Sequence, residues 1–202
     1  MPRPKSLTPS ALASATLAVL DREGLAALSM RAVAAELGMG TMSLYRYVAD
    51  RDGLEALVVE HLLSGVDTVP PRALWDKQVA VLVERVRAAV SAHPEAVPLT
   101  MAHRHRSPGL LRWSESVLAV LTAAGFTGEQ RVVAMRALLS YLIGAIGLEH
   151  RGPLSGVGTD AMATMGEQYP LLAETAATAR AIPPDVEFRQ GLDVVLSGLR
   201  RP

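Results

Sequence analysis

The sequence of 202 residues contains no cysteine, which excludes disulfide bonds, thiolate zinc sites and a cysteine nucleophile. It has no excess charge, since 20 lysine and arginine residues balance 20 aspartate and glutamate residues. The first residues, MPRPKSLTPS, lack the apolar core of a signal peptide. The longest apolar run, residues 138–148, is interrupted by Ser140, Tyr141 and two glycines and falls short of the ~20 residues of a membrane span. We therefore expect a soluble, cytoplasmic protein that does not enter the membrane.

Aromatic residues are also scarce, at 4% of the chain, whereas alanine and leucine dominate and favour helices over strands. Hydrophobic residues make up 50% of the chain, which is enough for a packed core. The length suits one domain, or a small domain joined to a larger one. No segment alternates convincingly at the period of a strand, and there is no internal repeat. The sequence therefore predicts an all-α fold.

The first 65 residues predict four short helices. Each predicted start is a residue whose side chain can accept a hydrogen bond from a free helix N–H, and most predicted ends are glycines. The starts are Thr8, which precedes Pro9, then Ser29, Thr41 and either Asp50 or Asp52; the ends are Gly24, Gly38, about Tyr47 and Gly65. From residue 71 onward the predicted helices become longer. Their breaks lie at residues 93–94, at Gly125, over residues 152–158, at residues 169–170 and at residues 182–184, and one helix runs unbroken from Thr127 to Arg151.

Two of the short helices, joined by the sequence Gly38-Met39-Gly40, match a helix-turn-helix. Apolar residues on both helices provide their mutual packing, and glycine allows the sharp turn. The second helix is too short to contribute much core, yet it presents hydroxyls at its start and two tyrosines. Such a surface suits the base edges and thymine methyls of the DNA major groove. A tight hairpin of two helices with no DNA function has the same spacing, so the spacing alone leaves that alternative open.

The wider stretch from Leu7 to Leu63 closely resembles the DNA-binding domain of the TetR (tetracycline repressor) family. The matching segments are residues 15–24 and LSMRAVAAELGMGTMSLYRYVADRDGLEALV over residues 28–58, within which GMGTMSLYRYVADRDGL is the most specific part. Residues 71–202 resemble the regulatory domain of the family in helix pattern and length. The resemblance implies a DNA-binding helix-turn-helix domain over residues 1–51. It also implies a helical regulatory domain, for effector binding and dimerisation, over residues 52–202.

The resemblance also assigns roles within the predicted DNA-binding domain. It implies that Arg31, Thr41, Met42, Ser43 and Tyr45 face the major groove. It further implies that Tyr47 and Arg51 lie on the phosphate backbone and that Ser29 aims backbone N–H groups at a phosphate. Two alternatives stay open: Arg31 on a solvated helix face, and Arg51 in an ion pair at the start of the fourth helix. Through residue 51 there are six basic and four acidic residues, a net charge of +2 that dimerisation would double.

A homodimer is the expected assembly. The helix over residues 127–151 carries small residues that allow close approach of another helix, and the last helix carries an apolar stripe. These residues are Ser140, Gly144, Ala145 and Gly147, and then Phe188, Leu192, Val195, Leu196 and Leu199. The resemblance implies a four-helix interface built from residues 137–148 and 188–199 of each chain. The alternative is that both stripes belong to the core of a single chain.

The resemblance further implies a pocket for a small-molecule effector. Its candidate residues mix apolar walls with a few polar groups: Met101, Leu110, Trp113, Val117, Arg136 and Tyr141. Trp113 and Tyr141 are the best candidates, although a core role fits each equally well. The pairs His103 with His105 and Glu149 with His150 lack the arrangement of metal ligands, so neither a metal nor another cofactor is expected.

The function predicted from the sequence is therefore a transcriptional regulator that binds double-stranded operator DNA. Repression released by an effector is the commoner mode of the family that the chain resembles. No glycine elbow around a serine, phosphate-binding loop, dinucleotide fingerprint or HExxH motif is present, so we do not expect an enzyme. A helical enzyme using scattered histidines, or a helical adaptor that binds another protein, are the alternatives. The adaptor does not explain the exposed tyrosines.

Overall fold

The computed structural model describes residues 7–151 and 157–199, without the side chains of residues 150, 151 and 157. The described residues form helices and no strand, which confirms the all-α prediction. The α-helices are α1 (Pro9–Glu23), α2 (Met30–Glu36), α3 (Thr41–Leu44), α4 (Arg51–Ser64), α5 (Trp75–Ser91), α6 (Val97–His103), α7 (Pro108–Ala123), α8 (Gly128–Arg151), α9 (Val157–Ala163), α10 (Pro170–Ala179) and α11 (Pro184–Leu199). Short 3₁₀ turns cover Leu25–Ala27, Pro94–Ala96 and Arg104–Arg106. Most of the predicted loop over residues 152–158 lies outside the described residues.

The chain forms two compact units. We call residues 7–69 with 88–116 the head unit, and residues 70–87 with the described residues from 117 onward the body unit. The sequence placed its domain boundary after residue 51, but α4 begins at that residue and buries Leu54, Val58 and Leu62. Since α4 packs mainly against α1, the compact unit that holds the helix-turn-helix extends well beyond residue 51.

Three of the four predicted helix caps are confirmed in the head unit. The Thr8 hydroxyl accepts a hydrogen bond from the N–H of Ala11 at 3.1 Å, and the Ser29 hydroxyl accepts one from Ala32 at 3.2 Å. At the start of α4, Asp50 rather than Asp52 is the cap, its carboxylate accepting from Gly53 at 2.9 Å. The prediction for Thr41 was wrong, because the residue before α3 that takes the extended cap conformation is Gly40, and Thr41 is already helical.

In the body unit, α8 and α11 pack against each other. From α11, the side chains of Phe188, Leu192 and Leu196 are all buried within this single chain. These three residues were predicted to meet a second chain, so for them the prediction was wrong and the single-chain alternative holds. The physical reason is that the buried face of α8 already covers them, with Leu138, Leu142 and Ile146 also buried.

The opposite face of α8 is left uncovered. Within the part of the chain that the structure describes, Gly128–Glu149 contains an 18-residue window with a mean hydropathy of 1.6 and, by length and composition alone, is long enough to cross a membrane. Ser140 and Tyr141 interrupt the apolar run in the sequence, but they do not make the helix too short or too polar to span a membrane by this criterion. Only 28% of this window is buried, and Val133 and Leu148 are both exposed. An apolar helix face of this kind is suited to be covered by another apolar surface.

Candidate nucleic-acid interface

The turn between α2 and α3 is held by two backbone hydrogen bonds. The N–H of Gly38 donates to the carbonyl of Ala35 at 3.0 Å, and the N–H of Met39 donates to that of Ala34 at 2.9 Å. This is the pairing of a Schellman motif, whose central residue adopts a positive φ. Gly38 has φ 64°, a conformation that favours glycine even though a side chain would meet open space there. The turn therefore fixes the direction in which α3 leaves α2.

Burial separates the two faces of α3. Leu44 is completely buried, whereas Met42 is 80% exposed, Tyr45 47% and Tyr47 42%. Thr41 and Ser43 are half-buried. Beyond Leu44 the chain continues as a turn in which the N–H of Tyr47 donates to the carbonyl of Leu44 at 2.9 Å. One anchoring leucine thus holds a short element whose large side chains point to the solvent, where a methionine and two tyrosines are free to contact a partner surface.

The arginines of this region differ in their surroundings. Arg31, which follows the first residue of α2, is exposed, and so is Arg46. Neither guanidinium makes a hydrogen bond or an ion pair with the residues that the structure describes. Arg22, in contrast, is held by Glu36 at 2.8 Å and Glu23 at 2.9 Å. These hydrogen bonds raise the pKa of Arg22 above its ordinary value.

Arg51 is occupied in the unbound chain. Its Nε lies 2.7 Å from a carboxylate oxygen of Glu55, and one terminal nitrogen donates to the carbonyl of Leu25 at 3.0 Å. The structure thus forms the ion pair that the sequence left open for this residue. Arg46 was missing from the predicted site, although its position between two exposed tyrosines was a signal that could have identified it. The free cations of the described helix-turn-helix are therefore Arg31 and Arg46.

The predicted effector residues are divided between the two units. In the head unit, Met101 is exposed, Leu110 is half-buried and Trp113 is only 1% exposed. In the body unit, Val117 is completely buried and Arg136 is exposed. The burial of Trp113 fits the core role that the sequence left open for this side chain.

Tyr141, the sixth predicted effector residue, is held beneath α11. Its hydroxyl donates to the carbonyl of Phe188 at 2.7 Å, and the two rings lie 5.4 Å apart. Desolvation by burial is the main cause that raises the pKa of this phenol above its ordinary value. The phenolic proton is thus donated within the chain, which fits the core role that the sequence left open for Tyr141.

The residues considered as metal ligands have other partners. His103 is buried and lies 3.1 Å from a carboxylate oxygen of Glu55, whereas His105 is exposed. Glu149 pairs with Arg87 at 2.9 Å, and the side chain of residue 150 lies outside the described part. Among the residues that the structure describes, no group of three or more histidine, aspartate or glutamate side chains is placed to hold a metal ion.

Two family models match the chain. The model described as "Bacterial regulatory proteins, tetR family" matches residues 12–56, and the model described as "Tetracyclin repressor-like, C-terminal domain" matches residues 69–202. The first match contains α2, α3 and the turn between them. The second covers the body unit together with residues 88–116 of the head unit.

Two relatives show the same likeness in sequence. The chain is 32% identical over 148 residues to the HTH-type transcriptional repressor DrrR1 of Streptomyces coeruleorubidus, a match that covers 71% of this chain and 54% of that protein. It is 31% identical over 144 residues to an HTH-type transcriptional regulator of Saccharopolyspora erythraea, covering 71% of this chain and 61% of that protein. The match thus spans little more than half the length of these relatives.

A crystal structure of the TetR family protein ActR from Streptomyces coelicolor, in complex with actinorhodin, superposes with a TM-score of 0.81. The two chains are 27% identical, and the match covers 97% of this chain and 96% of that one. The similarity in fold therefore includes both the head unit and the body unit.

Proposed function

The chain belongs to the tetR family of bacterial regulatory proteins, and we propose from this premise that it is a transcriptional regulator that binds operator DNA. The family consists of regulators rather than enzymes. The observation that carries the proposal is the exposed surface of the helix-turn-helix. There, unpaired arginines and large side chains with no partner in the described chain surround a single buried anchor, Leu44. Operator DNA in bacteria lies in the cytoplasm, which is where we place the protein.

Within this surface we divide the residues by the part of the DNA that each would meet. Arg31, Thr41, Met42, Ser43 and Tyr45 would contact base edges, since guanidinium, hydroxyl and apolar groups read the major groove. Tyr47, Arg51 and the N–H groups behind Ser29 would contact phosphates, which position the protein without reading sequence. We add Arg46 to the phosphate contacts because its guanidinium is exposed and has no partner within the described residues.

We also propose that the protein is a homodimer when it binds DNA, and that the two chains meet through the uncovered faces of α8 and α11. On α8 this face carries Val133, Ser140 and Gly144, and on α11 it carries Val194, which is 72% exposed, and Gly198. A side chain built on either glycine would meet open space, so nothing in the described chain prevents the close approach of a second helix. A two-fold dimer predicts a near-palindromic operator with half-sites separated by integral turns of roughly 10 bp.

We further propose that a small, largely apolar effector regulates DNA binding, most simply by releasing a repressor from its operator. The ActR structure with bound actinorhodin supports this, because its fold matches over nearly the whole chain. Met101, Leu110, Trp113, Val117, Arg136 and Tyr141 remain our candidates for effector contacts, and of these Met101 in the head unit and Arg136 in the body unit are exposed. An effector acts only if it binds the DNA-incompetent state more tightly than the competent one. We assign the transmission of this change to α4, because α4 follows the short helix α3 directly along the chain.

An electrophoretic mobility shift experiment tests the function. Fragments that include the DNA upstream of the protein's own gene are titrated with the wild-type chain, in the presence of excess nonspecific competitor. We expect a retarded band for at least one fragment that survives the competitor and disappears as salt increases. The proposal would be contradicted if the competitor displaced the protein from every fragment to the same extent.

A further inference from the structure

The carboxylate of Glu55 in α4 contacts an arginine and a histidine at once. One of its carboxylate oxygens lies 2.7 Å from Nε of Arg51, and the other lies 3.1 Å from Nε2 of His103, at the end of α6. The Glu55 side chain is 16% exposed and that of His103 6%, whereas that of Arg51 is 45% exposed. Because Glu55 and His103 are largely buried, water screens the interaction between these two side chains only weakly, and they influence each other strongly.

The second ring nitrogen of His103 also faces a carboxylate. Its Nδ1 lies 3.8 Å from an oxygen of Asp52, which in turn accepts a hydrogen bond from Arg106. This hydrogen bond is the main cause that lowers the pKa of Asp52 below its ordinary value, so the carboxylate is an anion at neutral pH. A neutral imidazole has one N–H and can donate to only one of two carboxylates, whereas an imidazolium can donate to both.

The balance of charge follows directly. Arg51 and Glu55 sum to zero, and so do Asp52 and Arg106. The cluster therefore carries no net charge when His103 is neutral and +1 when it is protonated. Other charged or titratable groups lie on the elements that pack around His103: these are Glu60 and His61 of α4, Glu95 before α6, and Arg104 and His105 after it. Of these, Glu60 accepts from Ser107 and Gly109, Glu95 accepts from the N–H of Leu25, and Arg104 donates to the carbonyl of Met101.

We propose that His103 is a positioning residue for DNA binding that acts on Arg51 through Glu55. When His103 is protonated, it neutralises Glu55 and leaves the Arg51 guanidinium available to a DNA phosphate. When His103 is neutral, Glu55 retains Arg51. The inference rests on the proposed function, because it requires DNA as the ligand of the head unit. Histidine is the side chain whose charge changes between about pH 5 and 8. Operator binding therefore strengthens as the pH falls, and binding of DNA takes up a proton.

The test is the salt dependence of the operator dissociation constant at pH 8 and at pH 6. One additional phosphate contact steepens the slope of log K against log salt by about 0.9, and a dimer makes two such contacts. For the wild type we expect a steeper slope at pH 6 than at pH 8, with a limit of about 1.8 when His103 changes its charge in both chains. His103→Gln, which is neutral at both pH values, should keep the shallow slope throughout. Arg51→Ala should be equally shallow and independent of pH.

Two further variants make the test specific. Glu55→Gln removes the carboxylate that retains Arg51 and leaves only the neutral carbonyl of Leu25, so the slope of this variant should be steep at both pH values. It also tests the inference without altering His103, should His103→Gln fail to fold. His105→Gln, an exposed histidine of the same segment, is the matched control and should retain the wild-type change. A pH-dependent slope in His103→Gln equal to that of the wild type would overturn the inference, as would a wild-type slope that does not change. Failure of the wild type to bind specifically at either pH would instead reject the proposed function itself.

Discussion

At the scale of single residues, Arg31 and Arg51 are two arginines of the head unit with different surroundings. Arg31 is exposed and without a partner in the described chain, whereas Arg51 is bound to Glu55 and to the carbonyl of Leu25. If Arg31 contacts a guanine, Arg31→Ala should reduce the difference in binding free energy between the preferred base pair and the others by about 1–3 kcal/mol, at one position per half-site. Arg51→Ala should weaken all sequences alike and, at pH 6, lower the salt slope by about 1 for each phosphate that the arginine no longer neutralises.

Affinities for operator variants across a salt series distinguish these two roles. The assignment is reversed if Arg31→Ala weakens every sequence equally while Arg51→Ala shifts the base preference. The effect of Arg51→Ala on DNA also has to be separated from its effect on the fold, because it removes the ion pair with Glu55. An exposed ion pair of this kind contributes about 0.2–1 kcal/mol to stability, so both variants should remain folded.

Individual residues also show how far the sequence could be interpreted. Thr8, Ser29 and Asp50 were predictable as caps because a cap depends on residues only three positions away. The ion pair of Arg51 with Glu55, four positions away, was likewise an alternative that the sequence left open. The more distant partners were not predictable: Leu25 is 26 positions from Arg51, and His103, which contacts Glu55, is 48 positions from it. Side-chain pairs of this kind depend on tertiary packing, which local pattern does not determine. The sequence could therefore identify Arg51 as a DNA-binding candidate, but not the distant histidine that contacts its carboxylate partner.

At the scale of helices, α4 is held along much of its length by residues 103–109. His103 meets Glu55, Arg106 meets Asp52, and Glu60 accepts from the hydroxyl of Ser107 and from the N–H of Gly109 at 3.0 Å. Ser107 and Pro108 are residues typical of a helix start, and α7 does begin there with the Ser107 hydroxyl accepting from the N–H of Leu110, but a local pattern gives no sign that this start also contacts α4. The N-terminal end of α7 is therefore both a helix start and an attachment of α4.

The closest approach in this attachment is at Gly109. A Cβ built there would lie 2.6 Å from the carbonyl carbon of Leu63 and 2.8 Å from the backbone nitrogen of Ser64. Because backbone atoms cannot move aside as side chains do, Gly109→Ala should lower the free energy of unfolding by about 1–3 kcal/mol. Gly65→Ala, where a Cβ meets nothing within 4 Å, is the control and should change stability by less than about 0.5 kcal/mol. Urea denaturation measures both, and a Gly109→Ala variant as stable as the wild type would show that α4 and α7 can separate freely.

At the scale of the whole molecule, the dimer interface is the feature for which the structure changes the prediction most. The sequence predicted an interface on α8 and α11, and both helices carry exposed apolar residues, but periodicity could not show which side of α11 faces its own chain. Leu192 is 1% exposed and Val194 72% exposed. The helical class was predictable from composition, whereas the extent of the head unit was not, because residues 88–116 join it from a distant part of the sequence.

Substitution of these two residues by glutamate separates the interface from the core. Val194→Glu should leave the helical content unchanged but dissociate the dimer, since it buries charge only when two chains meet. Leu192→Glu buries an unpaired charge within one chain and should lower the free energy of unfolding by roughly 4 kcal/mol or more. Light scattering and circular dichroism of both variants report the two effects. A dimeric Val194→Glu variant would place the interface elsewhere.

The central claim is that the exposed surface of α2 and α3 binds DNA, and the most direct measurement is the effect of charge reversal on that surface. Arg46→Glu places a carboxylate beside Tyr45 and Tyr47, whereas Arg112→Glu makes the same change at another exposed arginine of the head unit, outside the helix-turn-helix. The affinity of each variant for the fragment that the wild type retards is measured at low salt. The account predicts that Arg46→Glu binds about tenfold more weakly or worse, while Arg112→Glu binds within about twofold of the wild type. Equal affinities for the two variants would contradict it.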